Sequence, residues 1–252
     1  VSTFPGGTSL SHLDVYDTAA GDGVCGGSPH MHLVSTEAYV VISGRGALQT
    51  IDRDGFHETP LEAGAVVWFT PGTIHRAVNR GDLEVVVLMS NAGLPEAGDA
   101  VMTFPAEVVA DAAAYASAAS LGDDDADRAD RAAQRRDLAV TGFETLRDAV
   151  LDGDTAPLEA FYDASAALVR DRAVDWAELV RQGPLAQAQR SIAMAEAVAA
   201  RRPEHLAEAR TFEATPSAGE RRFGMCGRLR TYDVTSAEKA DQNEVTGKET
   251  DQ

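Results

Sequence analysis

The chain has 252 residues, enough to bury a substantial core as one elaborated domain or two small ones. Its 40 acidic residues against 22 Lys and Arg leave a formal charge of −18, which argues against nucleic acid and anionic membranes as partners, because like charges repel unless a basic patch intervenes. The pairs Arg135-Arg136, Arg201-Arg202 and Arg221-Arg222 make no basic stripe and read as solvated helix faces or loop charge.

From residue 10 to about 93 the sequence reads as short strands at 10–16, 30–34, 37–42, 47–51, 55–59, 65–69, 75–78 and 83–89. Turn signals separate them: Gly44-Arg-Gly46, Asp52-Arg-Asp-Gly55, Glu62-Ala-Gly64, Pro71-Gly72 and Asn79-Arg-Gly81. Strands of this number and spacing predict a closed barrel or jelly roll.

Three of these strands carry metal-ligand chemistry. His30 and His32 are two apart, so an extended strand projects both from one face, roughly 6.5 Å apart. Glu37 lies an odd number of residues further on and needs a bend within residues 33–36 to share that face. His75 follows the Pro71-Gly72 turn at the start of a later strand, and Arg76 beside it should point away from the metal. Imidazoles plus one carboxylate suit one divalent transition metal, Fe, Mn, Ni, Cu or Zn, rather than calcium.

Composition changes near Met102-Thr-Phe-Pro105, and residues 105–215 predict an α-helical region of four or five helices. Ala139, Phe143, Leu146 and Val150 form one apolar stripe; Leu158, Phe161, Leu168 and Val169 form another. Pro105, Pro157, Pro184 and Pro203 sit where helices start, and Gly153 and Gly183 where they stop. Strand character returns at 216–235, in a segment expected to cross back to the barrel, and the polar tail 236–252 is expected to be disordered. Cys25 and Cys226 make no disulfide framework and read as small buried thiols. With no signal peptide or apolar stretch of spanning length, the expected compartment is the cytoplasm.

The stretches Gly27-Ser-Pro-His30-Met-His32 to Glu37 and Gly64 to Pro71-Gly72-Thr-Ile-His75 to Asn79 together resemble the two signature motifs of the cupin superfamily. The resemblance covers residues 10–93. It implies a mainly β fold with a helical portion: a jelly-roll barrel over 1–104, an α-helical insertion or appendage, and a returning C-terminal strand. It also implies one metal held by His30, His32, Glu37 and His75.

A metal-dependent enzyme on a small polyhydroxy or keto substrate is the leading expectation, isomerase- or epimerase-like, with the metal as Lewis acid and Tyr39 as a candidate proton donor. Alternatives are a mononuclear dioxygenase and a non-catalytic, metal-dependent small-molecule binding protein. The expected partners are a small-molecule substrate and a second copy of the chain, with neither nucleic acid nor membrane. Arg228 and Arg230 would meet an anionic substrate if one face of the returning strand lined the barrel mouth; edge-strand solubility is the competing reading.

Overall fold

A computed structural model describes residues 4–234 and 238–239. The barrel strands are β1 (Ser9–Val15), β2 (His30–His32), β3 (Glu37–Ser43), β4 (Arg45–Asp52), β5 (Gly55–Glu62), β6 (Val66–Phe69), β7 (Ile74–Asn79), β8 (Glu84–Met89) and β9 (Ala100–Met102). All eight expected strands form, and β9 joins them as one the sequence reading left out.

The helical region comprises α1 (Ala106–Val109), α2 (Ala112–Ala119), α3 (Arg128–Leu151), α4 (Ala156–Ala173), α5 (Trp176–Val180) and α6 (Ala186–Ala199). Short strands follow: β10 (Phe212–Glu213), β11 (Arg222–Phe223), β12 (Gly227–Thr231) and β13 (Glu238–Lys239). β13 pairs with β10; the rest of the tail expected to be disordered lies outside the described residues.

Two antiparallel sheets form the jelly roll. One has the order β11-β12-β1-β8-β3-β6 and the other β5-β4-β7-β2-β9. The returning strand is present: β12 pairs antiparallel with β1, Leu13 opposite Leu229. Between the sheets lies one core, with Leu13, Tyr39, Val41, Leu48, Leu61, Phe69, Val85, Val87 and Cys226 among its members.

The helices make a third layer rather than a separate body. Alternation sends Met31 of β2 and Ile74 of β7 to the face opposite the histidines, where they join Phe104, Tyr115, Phe143, Leu158, Phe161 and Trp176 in a second core. Both predicted stripes face this core, with Val150 and Leu168 at its edge. Contact is close enough that a Cβ at Gly142 of α3 would collide with the Thr103 carbonyl beside β9.

Two predicted helix boundaries are corrected. Pro157 falls in the first turn of α4 and Gly153 follows α3, but Gly183 and Pro184 lie inside a π-helical turn, Arg181–Leu185, that joins α5 to α6. A π turn shifts the hydrogen-bond partner by one residue, which makes room for a proline that an α-helix would reject. The Arg135-Arg136 pair is corrected too: both are buried on α3 rather than solvated.

Candidate metal centre

The two sheets each contribute to one cluster. β2 and β7 pair with His30 directly opposite His75, so three imidazoles come from one sheet. The chain then bends at Leu33-Val34 and enters β3 of the facing sheet, which delivers Glu37 from across the sandwich. This crossing is why the odd spacing of Glu37 does not put it on the wrong side. One ligand atom from each of His30, His32, Glu37 and His75 lies within 4.8 Å of the others, and all four residues are buried.

Outer hydrogen bonds fix which imidazole nitrogen faces inward. His30 Nδ1 lies 2.9 Å from the Ser28 carbonyl, and His75 Nδ1 lies 3.2 Å from the Thr73 carbonyl. Carbonyls only accept, so each Nδ1 carries the proton and each Nε2 presents a lone pair. These two Nε2 atoms stand 3.1 Å apart. Facing lone pairs at that distance repel unless a cation or proton lies between them. Glu37 Oε2 is 3.2 Å from both His32 Nε2 and His75 Nε2, yet it is buried with no hydrogen bond of its own. An orphaned carboxylate oxygen among inward lone pairs is the donor set a divalent transition metal takes, so the residues fit the ion.

The third imidazole has a carboxylate behind it. Asp99 Oδ1 lies 2.9 Å from His32 Nδ1, and its Oδ2 accepts the Ser35 amide at 2.9 Å. Asp99 is wholly buried and was missed in the sequence, where it stands in the loop before β9 far from any motif. Burial works against charge on His32, but Asp99 and Glu37 outweigh it and raise His32 to about 9. Burial, with His75 and His32 alongside, holds His30 well below its ordinary value and therefore neutral. Burial raises Glu37, and the neighbouring His75 and His32 more than reverse this, keeping it ionised.

His30, His32 and Glu37 line a cavity of about 380 Å3, and His75 does not reach its wall. Leu10, Leu13, Val87, Met89 and Leu229 line its apolar part, and the returning segment adds Phe223, Met225 and Cys226. Tyr39 shares the inward face of β3 with Glu37, is fully buried and sits edge-on to Phe69. Its hydroxyl lies 3.7 Å from Cys226 Sγ and it does not line the cavity. Cys226 in turn is 4.0 Å from His30 Nδ1, and burial beside Glu37 pushes its thiol up to about 12.

Arg76 points away from the cluster as expected and is bidentate to Asp22. Arg228 stacks on Phe223, and Arg230 donates to the Gly219 carbonyl at 3.2 Å; neither lines the cavity. Arg135, read from the sequence as surface charge, does line it.

Comparison with known proteins gives one family and several fold likenesses. The family described as "Cupin domain" matches residues 19–91. No curated protein matches the sequence. Among solved structures, Streptomyces PAC13 with uridine is 18% identical, covering 37% of this chain and 65% of that one, with a TM-score of 0.29. A Klebsiella pneumoniae protein with a double-stranded beta-helix domain is 21% identical over 33% of this chain and 64% of that chain, TM-score 0.25. The Staphylococcus aureus capsular polysaccharide assembling protein CapF is 21% identical over 32% of this chain and 22% of that chain, TM-score 0.25. The chain thus covers less than two thirds of the length of each, and at these scores none assigns a substrate or a residue role here. The family match, the two facing sheets and the converging ligands agree: residues 19–91 form a cupin domain within this chain.

Proposed function

We propose that this protein is a metal-dependent enzyme acting on a small keto or hydroxy compound, with isomerase-like chemistry. One observation carries the reading: three imidazoles and an orphaned carboxylate oxygen converge, and His30, His32 and Glu37 of this cluster line a cavity large enough for a small molecule. A divalent transition metal held there supplies Lewis acidity toward a carbonyl or hydroxyl oxygen. His30, His32, His75 and Glu37 hold it. Asp99 and the carbonyls of Ser28 and Thr73 aim the imidazoles.

The cavity wall shapes the substrate. Its leucines, valine and methionines exclude water and favour a compound of modest polarity over a polyhydroxylated sugar. Glu96 and Tyr232 are lining groups able to carry a proton, whereas Tyr39 lies behind the wall with its hydroxyl on Cys226 Sγ.

A screen of keto and hydroxy compounds with the full chain loaded with Fe(II), Mn(II) or Zn(II), run with an oxygen electrode, tests this reading. Turnover without oxygen uptake, lost in His75→Ala, is expected. Turnover that requires stoichiometric oxygen would replace it with the dioxygenase reading, which the apolar wall also favours. No turnover with any compound, in protein shown to contain metal, would leave a binding protein.

A further inference from the structure

The cavity contains a cation that the metal centre does not use. Arg135 of α3 is 8% exposed and is the one Lys or Arg among the described residues lining the space. A guanidinium remains charged at any physiological pH, so burying it without a counter-ion is costly.

Two other buried arginines leave Nε without a hydrogen bond, but their Nη atoms are well partnered. Arg76 is paired with Asp22, and Arg136 donates to the carbonyls of Thr18, Ala19 and Gly26 while standing over the Tyr16 ring. Arg135 has much less. Its Nη2 donates to the Gly224 carbonyl at 2.7 Å, its Nη1 reaches the Ala119 carbonyl at a long 3.5 Å, and its buried Nε has no partner. Among the described residues no carboxylate lies within 4.0 Å of it. The ionisable groups that face it, Tyr16, Tyr115 and Cys226, are neutral because burial raises all three.

We infer that Arg135 anchors a carboxylate of the substrate, so that the proposed enzyme takes a small 2-oxo or 2-hydroxy acid with its acid end on Arg135 and its oxygen donor toward the histidine cluster. The inference rests on the reading that this cavity holds the substrate. The guanidinium lines the cavity with one short hydrogen bond and one long one, so N–H donors remain for a charge-assisted bond to a carboxylate. The apolar lining favours a singly charged carboxylate over the more heavily hydrated phosphate, and phosphate is therefore an arm of the test. The apolar wall then accommodates the short carbon chain that extends beyond C2.

The test uses the metal-loaded full chain and calorimetric titration with 2-oxobutyrate, 2-oxohexanoate, the two corresponding neutral amides, and inorganic phosphate. Each acid should bind at least about tenfold more tightly than its amide, since a charge-assisted hydrogen bond is lost. Arg135→Gln should erase that difference while metal content stays at the wild-type level, and Arg135→Lys should restore part of it. Acid and amide binding alike to wild type, or phosphate binding more tightly than either acid, would overturn the inference without requiring any variant to fold. Wild-type protein that holds no metal yet still prefers acid to amide, with the preference lost in Arg135→Gln, would uphold the anchor and remove the metal reading instead.

Discussion

At the scale of single residues, the centre depends on groups that never touch the ion. Asp99 holds His32 through Nδ1 and is itself held by the Ser35 amide, so Asp99→Asn leaves the shape but removes the charge that makes His32 a strong donor. Metal affinity should fall about 10–100-fold, measured by chelator competition, with the circular dichroism spectrum unchanged. The histidines were legible because strand alternation links residues two apart. Asp99 was not, since nothing in the sequence ties a loop carboxylate to a strand it meets only after folding.

Asp22 offers a separate test. Burial raises its carboxyl, but hydrogen bonds from Arg76 and the Val24 amide outweigh this and leave it below its ordinary value. A depressed carboxyl stabilises the fold at pH above its unfolded value, about 3.9, and the contribution disappears as pH falls through the folded value. Asp22→Asn should therefore be destabilised relative to wild type by an amount constant from neutrality to about pH 5, and the gap should close on further acidification. A gap that widens in acid would contradict the sign. Urea melts across that range give the answer.

Elements show how the helical layer serves the barrel. β2 is buried on both faces, ligands on one side and Met31 under the helices on the other, so α3 and α4 fix the sheet that carries three of the four ligands. Tyr162 of α4 also donates to the Gly72 carbonyl at 3.0 Å, in the turn that leads to His75. Phe143, 1% exposed in the centre of this interface, is the place to weaken it. Phe143→Ala should cost about 3–5 kcal/mol in denaturant unfolding, through lost burial and the cavity left behind. A change within experimental error would mean that the helices do not pack on the sheet as described.

The helical stripes were legible from periodicity, whereas the burial of Arg135 and Arg136 was not. A pair of arginines on an Ala-rich helix carries the same local signal whether it meets solvent or a cavity. Only the position of α3 against the returning segment decides, and that is set by contacts such as Arg136 with Gly26 and Arg135 with Gly224. Gly183-Pro184 failed as a boundary for a related reason: local breakers end a helix only where no alternative hydrogen-bond pattern can absorb them.

Across the whole molecule, two sheets, a helical layer and a returning strand enclose one polar cluster. The strand pairing of β12 with β1 brings Cys226 and Gly224 to the same cavity as ligands nearly two hundred residues earlier in the chain. Turn signals and alternation made the barrel legible, since they act over a few residues. The closure of the cavity was legible only in outline, because which side chains of the returning segment point inward depends on its register with β1. Among the described residues no helix is long and apolar enough to cross a membrane.

Everything proposed for the cavity depends on a cation held by His30, His32, Glu37 and His75. Elemental analysis of the purified full chain, incubated with each candidate divalent metal and desalted, measures it directly. One equivalent of a transition metal per chain is expected for wild type, falling to background in His75→Ala with secondary structure retained. Wild-type protein that retains none of these metals, or a His75→Ala variant that retains as much as wild type, would contradict the assignment.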